Sequence, residues 1–197
     1  VMWIPDNRFM KRDGIPDSPD QARAYLDAVV GDHNDTPGAT RERRETYIAE
    51  STRMVDFLVD QGVALERASQ FWPDYYDDLP GGCKTSRCVT AKAFNTNELG
   101  PWRKKLRKGF MEMPVRLEDG MKTGVVRSDP SVAKLKKQII WGVIKSKLML
   151  KREVAAGMAL QGRMLKASLA AGVELRTDTP VTELVVEGGK VTGVVTP

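Results

Sequence analysis

The chain has 197 residues, of which 41% are hydrophobic, 29% charged and 7% aromatic, the balance of a globular chain with apolar material for one core or part of one. No run of about 18 uninterrupted apolar residues occurs, which excludes a membrane-spanning helix, and Asp6 and Arg8 interrupt the place where a signal peptide needs its apolar centre, so a cytoplasmic location is expected. The net charge of +5 is uneven: residues 1–100 hold 12 Lys+Arg against 17 Asp+Glu, residues 101–152 hold 15 against 4, and residues 153–197 hold 4 against 5.

Ser18, Pro19 and Asp20 open the first predicted helix with a capping hydroxyl, a proline in the first turn and an acid beside the positive end of the helix dipole. Leu26, Val29 and Val30 give that helix an apolar side, and Gly31 stops it. DHNDTPG follows as a loop, and His33 within it reads as a solvated turn residue, because no apolar neighbours are present to tune its pKa. A long helix is expected over residues 40–61 with Tyr47, Met54, Val55, Phe57 and Leu58 inward and Gly62 as its stop.

Beyond Gly62 the helical period is lost. Val63, Leu65 and FWPDYYDDLPGG read as extended, with Pro73 and Pro80 excluding a helix interior, so Tyr75 and Tyr76 should point to opposite sides. Cys83 and Cys88 are too few and too isolated for a zinc site or a disulfide scaffold and read as reduced thiols. A short strand is expected from Val89, then a short helix over 98–108 with Leu99, Trp102 and Leu106, then loop over 109–129.

The helix expected over 131–150 carries Leu135, Ile139 and Val143, flanked by Ile140 and Ile144, with five lysines around them. Three readings compete for it: a solvated helix covering a core, a surface for anionic lipid, and a nucleic-acid contact. The last has least support, since no recognised nucleic-acid motif accompanies the charge. A helix from Gly157 to a stop at Gly172 precedes three expected strands, over 173–176, 181–186 and 191–196, with Gly188 and Gly189 turning the last hairpin. The expected class is therefore α+β, mostly helical with a small C-terminal antiparallel meander. No metal-ligand cluster, phosphate loop or nucleophile elbow is visible.

Three strings carry a family likeness. VMWIPDNRFMKRDGIPDSPDQARAYLDAVVGD, FWPDYYDDLPGG and GMALQGRMLKASLAAGVELRTDTPVTELVVEGGKVTGVV, in that order, resemble bacterial flavoprotein dehydrogenases of the fumarate reductase and 3-ketosteroid Δ1-dehydrogenase superfamily. The likeness is strongest to the ketosteroid branch, because the WIPDN opening and the PDYY–PGG pair occur together. Residues 109–152 match only loosely.

The resemblance implies an incomplete part of an FAD-binding α/β domain: residues 1–31 follow the family's glycine-rich flavin loop, 32–154 form a helical insertion near the substrate, and 155–197 supply a helix and strands of the core. No G-x-G-x-x-G occurs in the chain, so it reads as an internal piece of a larger enzyme, inactive alone and not expected to retain FAD. The implied reaction is 1,2-desaturation of a 3-ketosteroid or similar fused-ring ketone. A fumarate-reductase-like enzyme and a non-catalytic membrane-surface or protein-binding module stand as alternatives.

The family's pocket tyrosine, which assists the base, maps onto Tyr75. Phe71 and Trp72 would supply apolar wall, Val181 a backbone contact to the adenine, and Met2 and Trp3 neighbours of the flavin ring. The family's base and enolate-oxygen donors fall beyond Pro197. A steroid-like ketone is the expected partner. A peripheral membrane contact through the basic helix and self-association through exposed strand edges are further expectations.

Overall fold

The computed structural model describes residues 1–31, 38–68, 72–109, 115, 119 and 130–197. Phe71, His33 and nearly all of the loop expected over 109–129 lie outside the described residues. Two compact units result, Val1–Ala167 and Ser168–Pro197.

The opening string, for which the spacing predicts no element, forms a strand and a helical turn. β1 (Met2–Trp3) and β2 (Leu65–Arg67) pair antiparallel with opposite edges of β3 (Cys88–Ala91), in registers Trp3↔Cys88 and Arg67↔Val89. The strand period sends Val89 and Ala91 into the core and turns Cys88 and Thr90 to the other face. α1 (Arg8–Arg12) starts on the fully buried Asn7, whose Oδ1 accepts from the amides of Phe9 and Met10 while its Nδ2 donates to the Ile4 carbonyl at 2.7 Å.

α2 (Pro19–Val30) begins as the sequence predicts, with Ser18 Oγ accepting from the Gln21 amide and Gly31 at the C-cap. Its buried residues, however, are Ala22 and Tyr25, while Val29 is exposed. α3 (Arg41–Asp60), capped by Thr40, departs in part from expectation: Val55 is buried and Leu58 packs on the core as expected, but Ile48 and Ser51 are the other buried residues, and Tyr47, Met54 and Phe57 are exposed. Ile48, Ser51 and Val55 recur at helical spacing. Ser51 is small enough for close approach, and the neighbouring Thr52 hydroxyl holds the Pro5 carbonyl at 3.0 Å, so tertiary packing sets the rotation of the helix.

The expected extended run through Tyr75 and Tyr76 is instead a turn, closed by the Leu79 amide on the Tyr76 carbonyl and the Gly82 amide on the Leu79 carbonyl. Two glycines require it. A Cβ on Gly81, whose φ is +73°, would lie 2.1 Å from the Gln21 carbonyl oxygen of α2, and one on Gly82 would lie 2.6 Å from the Asp77 carbonyl oxygen. The PGG run therefore seats the turn directly on the backbone of α2.

The strand expected from Val89 is interrupted, with β4 (Phe94–Asn95) pairing separately with β5 (Glu153–Val154). The expected helix over 98–108 is a 3-10 segment, Thr96–Lys105, broken by Gly100 and Pro101. α4 (Pro130–Leu148) is the basic helix. Val132 is buried and Leu135, Ile139 and Val143 half-buried, whereas Ile140, Trp141, Ile144 and Leu148 are exposed. No helix among the described residues is long and apolar enough to cross a membrane.

α5 (Ala156–Ala170) packs Met158, Leu160 and Leu165 on a core of Ile4, Phe9, Val55, Val63, Leu65, Val89, Phe94 and Leu99. In the second unit β6 (Glu183–Glu187) and β7 (Lys190–Val195) form a hairpin with an irregularity at Val185–Val186. The strand expected over 173–176 does not form; no partner strand pairs with those residues within the unit, so the meander reduces to two strands.

Gly162 of α5 lies against the Phe94 ring, and a Cβ there would be 2.7 Å from two ring carbons. Gly162→Ala should cost roughly 1–3 kcal/mol through overpacking rather than stabilise the helix, measured as a lowered urea midpoint with unchanged slope.

Candidate functional site

The face of the sheet opposite the core opens into a cavity of about 1150 Å³. Trp3 and Cys88, partners across β1 and β3, form its floor. One wall is the C-terminal half of α2, another the start of α3, and Trp72 to Tyr75 close a third side. Thus Leu26, Val29 and Val30, whose apolar spacing predicts a buried helix face, line a cavity rather than fill a core. The Trp3 ring stacks on Tyr25 at 5.9 Å and on Tyr47 at 6.3 Å between centroids, and the Tyr47 hydroxyl donates to the Trp3 carbonyl.

Below this aromatic layer lies a charged cluster. Arg87, Asp17 and Asp74 have side chains only 1% exposed. Arg87 donates through Nε and Nη2 to the two oxygens of Asp17, at 2.8 and 2.7 Å, and through Nη1 to Asp74 Oδ2 at 2.7 Å. Its guanidinium also lies 5.4 Å from the Trp3 ring centroid and 5.7 Å from that of Tyr25. Burial opposes the charge, but the hydrogen bonds and charge of Asp17, with the charge of Asp74, outweigh it and hold the guanidinium above its ordinary range.

Asp74 gathers further donors, with the Trp3 indole N–H on Oδ1 at 2.7 Å and the Cys83 amide on Oδ2 at 3.0 Å. Asp17 Oδ2 also accepts from the Asp6 amide at 2.8 Å, and the carbonyl of Arg87 accepts from the Ile4 amide at 3.1 Å. Burial pushes the Tyr25 and Tyr47 phenols above their ordinary range, so both stay neutral at physiological pH. Burial likewise pushes the Cys88 thiol up, and both cysteines are free.

Of the residues singled out from sequence, the structure brings Trp3, Trp72 and Tyr75 to the one cavity. Tyr75 stands at its edge, 93% exposed, and Tyr76, also exposed, is not part of the lining. Met2 packs on the core, on the opposite face of β1 from Trp3. Val181, in the second unit, precedes β6, and its amide and carbonyl take no hydrogen-bond partner among the described residues. Among those residues no group of acids, histidines and cysteines is arranged to hold a metal ion.

Sequence reasoning missed Arg87, Asp17 and Asp74 as a unit. Arg87 sits among small polar residues outside the family-like strings, and nothing local in the sequence links it to Asp17 or Asp74, each of which lies within one of those strings. Arg87→Met leaves two buried carboxylates facing each other and should cost about 3–5 kcal/mol, whereas Arg87→Met combined with Asp17→Asn and Asp74→Asn should recover much of that loss, both read by urea unfolding.

Comparison with known proteins agrees with this architecture. The chain is 32% identical over 201 residues to the 3-oxosteroid 1-dehydrogenase of Mycolicibacterium smegmatis, covering 98% of this chain and 34% of that protein. The namesake enzyme of Mycobacterium tuberculosis is 29% identical over 116 residues, covering 59% of this chain and 20% of its own. The fold matches a crystal structure of 3-ketosteroid delta1-dehydrogenase from Sterolibacterium denitrificans in complex with 1,4-androstadiene-3,17-dione, with a TM-score of 0.82 at 23% identity over 99% of this chain and 36% of that one. The chain spans about a third of the length of the Mycolicibacterium and Sterolibacterium proteins. A family described as the FAD binding domain matches residues 1–197 in full, and the chain belongs to that family.

Proposed function

We propose that this chain contributes one side of a fused-ring ketone site in an FAD-dependent dehydrogenase that introduces a double bond beside the ketone of a 3-ketosteroid. The observation that carries the reading is the cavity, with its aromatic and aliphatic walls and Tyr75 at its edge. A fused-ring ketone is a rigid, largely apolar body with polar groups at its ends, and such walls bury it without leaving polar groups unpaired. The 3-oxosteroid 1-dehydrogenase relatives support the substrate class. A reductase of unsaturated acids would need arginines directed at carboxylates. Two arginines reach the cavity lining: Arg44 already donates to the carbonyls of Gly31 and Ala39 and to Asp27, and Arg43 alone would have to meet a carboxylate.

Loss of a proton and a hydride from adjacent ring carbons develops negative charge on the ketone oxygen and needs a base for the proton. Tyr75 assists that base at the edge of the cavity, and Trp72 and Trp3 hold the ring system and exclude water from one side. Phe71 is proposed as further apolar wall on the resemblance alone. For FAD, the amide and carbonyl of Val181, which take no partner among the described residues, suit an adenine edge; Trp3, whose ring is stacked on Tyr25 and Tyr47, is proposed beside the flavin ring on the resemblance alone. Met2 serves that ring only indirectly, by backing Trp3 within β1. When bound, the flavin supplies the hydride acceptor.

α4 supports a peripheral lipid contact. Ile140, Trp141, Ile144 and Leu148 are exposed beside Lys136, Lys137 and Lys145, which suits an anionic headgroup layer and would give a membrane-dissolved substrate a short route to the enzyme. The hairpin of the second unit supports self-association, since the outer edges of β6 and β7 carry no further strand within that unit.

In the enzyme that carries this domain, Tyr75→Phe should lower turnover of a 3-ketosteroid by on the order of 10- to 100-fold with flavin content unchanged; undiminished turnover would remove the role given to Tyr75. For the lipid contact, the protein should cosediment with phosphatidylglycerol vesicles at low salt, release at high salt and ignore phosphatidylcholine vesicles. Failure to sediment with the anionic vesicles would eliminate the surface role.

A further inference from the structure

Tyr75 is 93% exposed, so no surrounding side chain of this chain fixes it. A side chain in that situation inherits its place from the backbone on either side. That backbone is held with unusual thoroughness. The Asp74 amide donates to the Cys83 carbonyl at 2.9 Å, and Asp74 Oδ2 takes the Cys83 amide back at 3.0 Å, so one residue closes both ends of the turn that contains Tyr75. On the following side the Tyr76 amide donates to the Tyr25 hydroxyl at 3.3 Å. The remaining capacity of the Asp74 carboxylate goes to Trp3 Nε1 and Arg87 Nη1, each at 2.7 Å. Asp17 holds Arg87 from its other side.

We propose that Asp74, clamped by Arg87, is the positioning residue that presents Tyr75 to the substrate cavity. The inference rests on the role given to Tyr75 above and extends it to residues that do not touch the reacting atoms. Asp74 borders the cavity, but both its oxygens are committed to protein donors, so it acts through its neighbour rather than on a substrate proton. Arg87 adds rigidity of a kind that a single carboxylate–amide bond lacks, because its planar fork ties the turn through Asp74 to the start of α2 through Asp17. A displacement of about 1 Å at a reacting group can cost on the order of 100-fold in rate, which is the scale of effect such a clamp controls.

The test is a double-mutant cycle in the active enzyme on a 3-ketosteroid, using Asp74→Asn, Tyr75→Phe and the double variant. Asp74→Asn keeps the side-chain size and an oxygen for Trp3 or Cys83 while losing the charge that faces Arg87. The expected result is a kcat lowered about tenfold or more with KM little changed in the single Asp74→Asn variant. No further loss should appear when Asp74→Asn is added to Tyr75→Phe. The proposal is overturned if Asp74→Asn leaves kcat unchanged, or if it lowers kcat by the same factor in both backgrounds, as a merely structural residue would. Tyr75→Phe without any effect sinks the reading of Tyr75 itself and is recognisable as that. Should Asp74→Asn melt below the assay temperature, Arg87→Lys takes its place in the cycle with the same expectations: it keeps the buried charge but lacks the fork that spans both carboxylates.

Discussion

A guanidinium removed from water must have its charge answered and its donors filled, and in this protein that requirement falls on Arg87. Two carboxylates answer it, one from the residue before the α2 cap and one from the turn after Trp72. The carbonyl of the same residue holds the Ile4 amide, and the guanidinium supports the ring faces of Trp3 and Tyr25. Four stretches far apart in sequence are thereby joined through one side chain. The net stability of such a cluster against an apolar replacement can be small, because desolvation offsets most of the Coulomb gain. Its geometry is another matter: planar donors and fixed acceptors admit few alternatives, so the cluster specifies where the cavity's floor and edge meet.

The motif-like strings acquire physical meaning in this light. In WIPDN, Trp3 supplies the floor of the cavity, Ile4 enters the core, Pro5 offers its carbonyl to Thr52, Asp6 gives its amide to Asp17, and Asn7 caps α1. In PDYY, Asp74 is the acceptor and Tyr75 the presented group. In PGG, Gly81 and Gly82 are required because any side chain would collide with the backbone of α2 or of the turn itself. A similar string in a relative is therefore evidence for the same joint, since each position answers a different steric or hydrogen-bonding demand.

Legibility from sequence followed the range of the interactions involved. The cap and stop of α2, the extent of α3, the hairpin at Gly188–Gly189 and the basic helix were legible because capping, turn conformation and helical periodicity act over a few residues. The rotation of α3 was legible only in part, because Tyr47, Met54 and Phe57 are apolar enough for an interior that Ile48 and the small Ser51 occupy instead beside the expected Val55. Apolarity identifies what can be buried; it does not say whether a core, a cavity or a missing neighbour covers it. The turn at Tyr75 was misread as extended for a related reason, since prolines exclude a helix without choosing between strand and turn.

The extents of α2 and α3, the basic helix, the C-terminal hairpin, the family likeness and the residue types able to wall an apolar cavity were determined by the sequence alone, because each depends on local conformational preference or on a contiguous string. The joining of Asp17, Asp74 and Arg87, the single cavity shared by Trp3, Trp72 and Tyr75, and the turning of Met2 away from it were decided only by the tertiary structure. A buried charge has no preference among distant partners until the chain closes on itself, and the two faces of a two-residue strand become distinguishable only when a core occupies one of them.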